Sequence, residues 1–317
     1  MAPRIAAPSV SVVIPTRDRP HLLATTLRSV LWQRDVDHEL IIVDDGSTVP
    51  VSEMGNIAAR IVRHDESLGV ARARNHGIDV ARGRWIAFLD DDDLWAPEKL
   101  LNQLRRAEQT GASWVYSGAV AVDEDLNVFD GDPPAAPEEV VAELRGYNSV
   151  PAPVSNVMVR ADFLGDVGGF DDGFMHVADW DLVLRLADAG LPACVATPDV
   201  AYRWHGGNAS LRIAEMLAEV ERFERTRGLR TQRGVFRRYA GTLEQRAGHR
   251  LHAAGHFARA ALLHRDMGLR GARRDLKAAV VALIGGIRTG RRGRPAPEDE
   301  SAAYRRGAEE WIARLRT

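Results

Sequence analysis

Cysteine is almost missing from this sequence, since only Cys194 occurs among its 317 residues. A single cysteine excludes an intramolecular disulfide framework and a cysteine-based zinc site, and it fits a reducing compartment such as the cytoplasm. Residues 1–9 contain one arginine and no apolar core, so we expect no signal peptide. No stretch reaches the roughly 18 to 20 apolar residues that a membrane-spanning helix needs. The composition predicts a cytoplasmic globular protein.

Common nucleotide-binding signatures are missing as well. The first predicted strand, Val10–Pro15, leads into the polar loop 16–20 and not into Gly-x-Gly-x-x-Gly, which argues against NAD or FAD. The absence of a Gly-Lys-Ser/Thr phosphate loop argues against an ordinary ATPase or GTPase. A sugar-nucleotide pyrophosphorylase would also carry a glycine-rich loop after this strand, so that class of enzyme is disfavoured.

Charge is distributed unevenly along the chain, although the net charge is only −2. Residues 210–317 carry 24 Lys and Arg against 12 Asp and Glu, whereas residues 1–209 carry 18 against 32. A break of this size predicts two parts with different partners. The acidic part is the better candidate for binding a metal ion.

The most informative stretch is an apolar strand that ends in four carboxylates. Residues 85–89 are β-prone and apolar, which is typical of a strand buried on both faces, and Asp90, Asp91, Asp92 and Asp93 follow directly. Adjacent like charges repel, so a divalent cation such as Mg²⁺ or Mn²⁺ is expected among them. The alternative is a solvated acidic turn before the helix that starts near Pro97.

Hydrophobic periodicity predicts alternating strands and helices over the first 110 residues. This order is typical of an α/β fold with a mostly parallel, Rossmann-like sheet flanked by helices. Strands are predicted at 10–15, 39–43, 57–63 and 85–89, and helices at 21–33, 70–81 and 97–109. A further strand is predicted at 112–122, and residues 123–146 are predicted to form a loop with one short helix.

Two predicted strand ends carry carboxylates, and arginines lie between them in sequence. Asp44 and Asp45 follow the second strand, and Arg72 and Arg74 open the helix before the four-aspartate stretch. Metal on one side and guanidinium on the other is an arrangement that suits a diphosphate. One of the two arginines is expected to lie on a solvated helix face.

Four segments in this order resemble the family 2 glycosyltransferases, which have the GT-A fold. The segments are VSVVIPTRDRP, ELIIVDDGS, GVARARNHGI and GRWIAFLDDDDLWAPEKL. Residues 167–171 and 179–182 are similar to the acceptor-side segment of the family, and 202–210 to the loop that closes over the nucleotide. The resemblance implies a catalytic domain over 1–210, with a nucleotide-sugar half at about 9–110 and an acceptor half at about 111–210. Residues 211–317 would form a basic helical extension.

The resemblance also implies roles for the residues on the nucleotide side. Asp45 matches the position that binds the base, usually uracil. Thr16 lies on the first loop beside the base and ribose, and Asp18 joins it. Asp90 or Asp91 is directed towards the ribose.

The metal site is implied by the Asp-x-Asp motif of the family. Asp92 matches a direct ligand of Mg²⁺ or Mn²⁺, with Asp90 as a second ligand. His205 matches a histidine that completes the metal or diphosphate site, against the alternative of an ordinary loop histidine.

Asp179 matches the catalytic base of the family. The family often has Glu-Asp at this point, but here Ala178 replaces the first acid, so the assignment rests on Asp179 alone. A helix cap is the alternative for Asp179, and Asp181 is a fallback base with a structural position. Trp180 and Trp204, beside the site, are candidates for stacking on sugar rings.

The implied activity is a metal-dependent, inverting transfer of a sugar from a nucleotide-sugar donor, most often a UDP-sugar, to an acceptor hydroxyl. The acceptor class stays open among glycans, lipid-linked saccharides and small molecules, and no nucleic-acid partner is predicted. The rival interpretation is a non-catalytic nucleotide- or sugar-binding module that recruits partners through its basic helical tail.

The segment after residue 210 is predicted to be helical. Helices are expected at 211–227, 234–254, 256–265, 276–287 and 302–315, with a linker at 290–300. The arginine-flanked region 270–294 either packs on the catalytic domain, which is favoured, or contacts the inner face of the membrane peripherally. His249, His252 and His256 share a helical face, but the pattern shows no carboxylate beside them, so no metal site is predicted there.

Overall fold

The computed structural model describes residues 8–55, 57–207, 212–246, 248–264, 275–276, 278–280, 282–283 and 298–316. Its contacts divide the chain into two compact units. The sheet unit comprises the described residues of 1–142, 150–204 and 296–317, and the helical unit those of 143–149 and 205–295.

In the described part of the sheet unit, nine strands form one mixed sheet. The strands are β1 (Val10–Thr16), β2 (His38–Asp44), β3 (Arg60–Arg63), β4 (Trp85–Phe88), β5 (Leu94–Trp95), β6 (Trp114–Val122), β7 (Val128–Asp132), β8 (Met158–Arg160) and β9 (Ala193–Arg203). Their order is β3-β2-β1-β4-β8-β6-β9-β5, and β7 pairs with β6.

The strands β3, β2, β1 and β4 are parallel neighbours, so their carboxyl ends lie at one edge of the sheet. The register pairs Thr16 with Asp44 and Val13 with Phe88. The loops after β1, β2 and β4 therefore meet, as the sequence predicted. In an open α/β sheet this edge is where ligands bind.

The first four helices of the sheet unit follow the predicted order. The helices are α1 (Pro20–Leu31), α2 (Val70–Val80), α3 (Lys99–Thr110), α4 (Pro137–Glu143), α5 (Pro153–Asn156), α6 (Ala161–Val167) and α7 (Ala178–Ala189). A mixed α/β fold with a mostly parallel sheet and flanking helices confirms the predicted fold class.

The prediction of a loop over 123–146 is wrong in its first part, because β7 forms a hairpin with β6. The turn is made by Asp123, whose carboxylate accepts hydrogen bonds from the backbone and side-chain nitrogens of Asn127 at 2.7 and 3.0 Å. Leu126 closes the turn with a φ of 64° and is buried. The predicted short helix exists as α4.

The last helix of the chain packs on the sheet. Its buried residues Ala308, Trp311 and Ile312 join the apolar cluster of Leu94 and Val120. Their burial gives the C-terminal segment a shared apolar cluster with β5 and β6. We call this helix α11; it extends over Glu298–Ala313.

The helical unit contains α8 (Ile213–Arg227), α9 (Arg233–Arg246) and α10 (Arg250–His264). The predicted helix break at residue 255 is wrong, because the chain turns at Gly248, which has a φ of 82°. A left-handed residue of this kind commonly ends a helix. Gly255 lies inside α10, and Phe257 of the same helix packs over Gly241 of α9.

The predicted membrane-contact region 270–294 lies largely outside the described residues. In the part of the chain that the structure describes, no helix is both long and apolar enough to cross a bilayer.

The side-chain amino group of Lys99, at the start of α3, lies in the core. Its side chain is completely buried, with Nζ 3.8 Å from the centroid of the Trp95 ring. Within the described residues, Nζ has no hydrogen-bond partner. Burial lowers the pKa of Lys99 to about 7, and the charge of Asp199 opposes this shift only in part. The neutral form of this lysine is therefore favoured by folding.

Replacing Lys99 with methionine should remove a pH dependence of stability. The pKa of an unfolded lysine is about 10.4. At a pH between about 7 and about 10.4, the unfolded chain therefore binds one more proton than the folded chain. The stability that this difference contributes is present at high pH and is lost as pH falls through about 7. Urea denaturation of the wild type should show unfolding free energy rising by up to roughly 1.4 kcal/mol per pH unit over this window, relative to Lys99→Met. Parallel pH profiles for the two proteins would contradict this account.

Candidate functional site

The four consecutive aspartates form a compact turn at the carboxyl end of β4. Thr26 of α1 donates to the backbone carbonyls of Asp91 and Asp93, both at 2.9 Å, and so holds the turn against α1. One ligating oxygen from each of Asp90, Asp92 and Asp93 lies within 4.8 Å of the others. The turn thus concentrates carboxylates at the ligand-binding edge of the sheet.

Asp91 and Asp92 share a guanidinium that the sequence analysis did not select. Nη1 of Arg19 lies 3.2 Å from Oδ1 of Asp91 and 2.9 Å from Oδ2 of Asp92. The hydroxyl of Thr16 donates to the other oxygen of Asp91 at 2.7 Å. Arg19 lies directly before Pro20, the first residue of α1. This place at the start of a helix is the signal in the sequence that could have identified its role. A cation that binds Asp92 has to share that carboxylate with Arg19 or displace it.

Asp93 belongs to the predicted acidic stretch, but the sequence pattern assigned it no individual role. Its side chain is fully buried, and it accepts from the hydroxyl of Ser155 at 2.5 Å and from the backbone N–H of Arg203 at 3.0 Å. Ser155 in turn accepts from the backbone N–H of Asp90 at 3.1 Å. Asp93 therefore joins the turn to α5 and to the end of β9.

The local electrostatics favour an additional positive charge. Burial raises the pKa of Asp91 to about 7, the charge of Asp92 adds to the shift, and Arg19 opposes it. Burial, together with the charges of Asp92 and Asp90, also raises the pKa of Asp93 well above its usual range. Three close oxygens and the mutual repulsion of these carboxylates fit a divalent ion with a preference for oxygen ligands.

The two arginines of α2 have different environments. Arg74 is buried, donates from Nη2 to Asp90 at 2.5 Å, and lies over the Phe170 ring at 5.1 Å from its centroid. Arg72 is exposed and pairs with Asp172 at 2.7 Å. The sequence expectation that one of them lies on a solvated face is met by Arg72, and Arg74 belongs to the acidic turn.

Asp45, after β2, is engaged by its own chain. Its carboxylate accepts from Nδ1 of His64 at 2.7 Å, from the hydroxyl of Ser67 at 2.7 Å, and from the backbone N–H groups of Leu68 and Gly69 at 2.9 and 3.0 Å. Although burial opposes ionisation, these donors hold the pKa of Asp45 below its usual range. Four donors match the roughly four lone-pair sites of a carboxylate. Asp45 therefore shapes the loop 64–69, and its contact with a nucleotide base stays a prediction.

The neighbouring carboxylates at this edge also organise loops. Asp44 accepts from the backbone N–H groups of Ser47 and Val51 at 2.9 and 3.0 Å and pairs with Arg63. Asp18 has a φ of 54° and accepts from the backbone N–H of Thr48 at 2.6 Å. These bonds tie the loop after β1 to the loop after β2.

The predicted base, Asp179, lies half-buried in the first turn of α7, where its carboxylate accepts from the backbone N–H of Trp180 at 2.7 Å. The cap position of this helix is Val177 and not Asp179. Asp181 is fully buried and pairs with Arg185 at 2.7 Å, so it has the structural position that the sequence suggested. Trp180 is also buried, and its predicted stacking on a sugar is wrong for this conformation.

His205 is the first residue of the helical unit after β9. Its Nδ1 accepts a hydrogen bond from the backbone N–H of Gly207 at 3.1 Å. The rest of the predicted closing loop, residues 208–210, lies outside the described residues. The role of His205 therefore stays a prediction.

Comparison with known proteins agrees with this architecture. The sequence profile described as Glycosyl transferase family 2 matches residues 11–161. An uncharacterised glycosyltransferase of Haemophilus influenzae is 26% identical over 180 residues, which are 56% of this chain and 61% of that protein. The Escherichia coli UDP-Glc:alpha-D-GlcNAc-diphosphoundecaprenol beta-1,3-glucosyltransferase WfgD is 32% identical over 111 residues, which are 34% of this chain and 44% of that enzyme. The chain thus spans less than two thirds of either relative.

A solved structure shares the fold. The crystal structure of S. aureus TarS 1–349 in complex with UDP-GlcNAc superposes with a TM-score of 0.55, covering 88% of this chain and 82% of TarS at 12% identity. The sheet and its flanking helices thus share the GT-A fold of TarS. Residues 11–161 of the chain carry a glycosyl transferase family 2 domain.

Replacing Asp45 with alanine should destabilise the fold, because the loop 64–69 loses four hydrogen bonds to a buried, charged acceptor. We expect the free energy of unfolding to fall by about 2–4 kcal/mol, whereas Asp18→Ala, at an exposed carboxylate, should cost less than about 1 kcal/mol. Urea denaturation of both variants measures the difference. Equal, small losses would show that Asp45 does not organise this loop.

Proposed function

We propose that this protein transfers a sugar from a nucleotide-sugar donor, with a UDP-sugar as the first candidate, to a hydroxyl of a glycan or lipid-linked acceptor. The observation that carries the proposal is the acidic turn 90–93 at the carboxyl edge of the parallel strands, with Arg19 and Arg74 against it. The family 2 match over residues 11–161 and the UDP-GlcNAc complex of TarS support the donor class. The acceptor of WfgD, alpha-D-GlcNAc-diphosphoundecaprenol, supports a lipid-linked class of acceptor.

Asp90 and Asp92 would hold Mg²⁺ or Mn²⁺, and Asp93 would fix the turn that presents them. When bound, such an ion stabilises the negative charge of the diphosphate leaving group as a Lewis acid. Arg74 is held rigid between Asp90 and Phe170, so its guanidinium is oriented without the entropy loss of an exposed arginine. Thr16 and Asp18 line the loop after β1, where the base and ribose would bind.

Asp179 would take the proton from the acceptor hydroxyl as that oxygen attacks the anomeric carbon. The bond from the anomeric carbon to the diphosphate oxygen breaks in the same step, so the configuration inverts. Its half-buried place in the first turn of α7 puts the carboxylate close to the positive end of the helix dipole. No covalent sugar–enzyme intermediate is required.

The donor is tested by release of nucleoside diphosphate from a panel of UDP-, GDP- and dTDP-sugars with Mn²⁺ or Mg²⁺, with and without EDTA. We expect metal-dependent release from one donor, reduced by about a hundredfold or more in Asp92→Ala, because an ion that stabilises the leaving-group charge is lost. Arg72→Ala, at an exposed arginine paired with Asp172, is the matched control and should keep most of the release. Nucleotide binding without release from any donor would favour a binding module, and absence of metal-dependent nucleotide binding would refute the proposal.

Substitutions of Asp179 and Asp181, the two acids in the first turn of α7, should have different effects. Asp179→Asn should lower kcat by about 10²- to 10⁴-fold, the usual contribution of a general base, with unfolding free energy unchanged. Asp181→Asn should instead lower the unfolding free energy by about 1–3 kcal/mol, because Arg185 loses its buried partner. Assays of transfer and of urea denaturation on both variants measure this. Loss of kcat in a stable Asp181→Asn, with an active Asp179→Asn, would move the base to Asp181.

A further inference from the structure

The helical unit contains a second cluster of metal-ligating side chains. Nδ1 of His249 lies 2.8 Å from Oε2 of Glu244, and Nδ1 of His252 lies 3.7 Å from the same oxygen. Ligating atoms of all three residues lie within 4.8 Å of one another. The sequence argument against a metal site here assumed that no carboxylate accompanied the histidines, and that assumption is wrong.

The cluster is made by the turn between α9 and α10. The backbone N–H of His249 donates to the carbonyl of Glu244 at 2.8 Å, and Gly248 supplies the left-handed residue that reverses the chain. His252 follows three residues later on α10, on the same face as His249. One carboxylate from the end of one helix and two imidazoles from the start of the next thus converge.

We propose that Glu244, His249 and His252 form a binding site for a zinc-class divalent cation that joins the end of α9 to the start of α10. Two imidazoles and one carboxylate are ligands that Zn²⁺ accepts, and water would supply the fourth position. Nitrogen-rich ligands select Zn²⁺ over Mg²⁺, whereas the all-carboxylate turn at 90–93 has the opposite preference. The two sites are therefore chemically distinct and lie in different units.

A simple hydrogen-bonded His–Glu pair explains the cluster less completely. Oε2 of Glu244 lies at hydrogen-bonding distance from Nδ1 of His249. Its distance of 3.7 Å from Nδ1 of His252 is too long for a hydrogen bond. In a tetrahedral site with bonds of about 2.0–2.1 Å, neighbouring ligand atoms lie roughly 3.4 Å apart, between the two observed distances. The histidine side chains are 62% and 74% exposed, so an ion can reach them and small rotations suffice.

Charge also favours this composition. Glu244 is mostly buried and supplies the negative charge, while the rings of His249 and His252 meet edge to face with their centroids 6.0 Å apart. A divalent ion binds both as neutral imidazoles and neutralises the carboxylate. The expected consequence is a more stable α9–α10 hairpin whenever the ion is bound.

The test is calorimetric titration of the full chain with Zn²⁺ in an excess of Mg²⁺, after removal of any affinity-tag histidines. The Mg²⁺ occupies the oxygen site at 90–93. One Zn²⁺ should bind, and Co²⁺ should give the visible absorption of a tetrahedral complex. Glu244→Gln and His252→Ala should each weaken binding by about 100-fold or more, since even loss of residues that only orient ligands costs about 10- to 100-fold.

Leu251→Ala is the matched control, because Leu251 is an exposed neighbour on α10 that offers no ligand atom. It should bind Zn²⁺ as the wild type does. Circular dichroism checks that every variant is folded, and the Tm of the wild type should rise with Zn²⁺ while that of Glu244→Gln does not. Equal Zn²⁺ affinity in the wild type, Glu244→Gln and His252→Ala, or a purely octahedral Co²⁺ spectrum, would overturn the proposal. These readouts do not depend on sugar transfer, so their failure leaves the proposed activity untouched.

Discussion

Four adjacent carboxylates at the end of a strand buried on both faces are the constraint on which the site depends. Such charges are tolerated only where hydrogen bonds and positive groups compensate them. Here the compensation comes from many elements: Thr16 and Arg19 after β1, Thr26 on α1, Arg74 on α2 and Ser155 on α5. Stabilising the aspartates therefore fixes the positions of several loops at once. The same contacts bring together the residues of the proposed ligand site at the edge of the sheet.

The acidic residues at the ends of β2 and β4 differ in how completely their negative charge is compensated. The aspartates after β2 accept hydrogen bonds from backbone and side-chain donors that outweigh burial, so the pKa values of Asp44 and Asp45 are lowered. The turn after β4 retains mutual repulsion, and the pKa values of Asp91 and Asp93 are raised. The negative charge at the end of β2 is thus compensated by donors of the chain itself. The second still favours binding of a cation, which is the physical reason to assign the chemistry there.

The sequence predicted the parallel strands and their flanking helices because buried parallel strands are continuous apolar runs with a carboxylate or loop at each end. It did not predict β7, because the hairpin depends on the Asp123–Asn127 turn and on pairing with β6. Residues that act through long-range contacts were also missed: Arg19 belongs to a loop whose partners lie about 70 residues away, at Asp91 and Asp92. Likewise, the pairing of Glu244 with two histidines follows from a turn at Gly248, and helical periodicity alone predicted an uninterrupted helix there.

The central claim is that the carboxylates at the end of β4 bind a divalent ion together with the nucleotide. The most direct measurement is Mn²⁺ binding, followed by electron paramagnetic resonance, with and without UDP, in the wild type and Asp92→Asn. Our account predicts that UDP tightens Mn²⁺ binding in the wild type and that Asp92→Asn loses both the ion and this coupling. Equal affinity for UDP in Mn²⁺ and in EDTA, together with unchanged Mn²⁺ binding in Asp92→Asn, would contradict it.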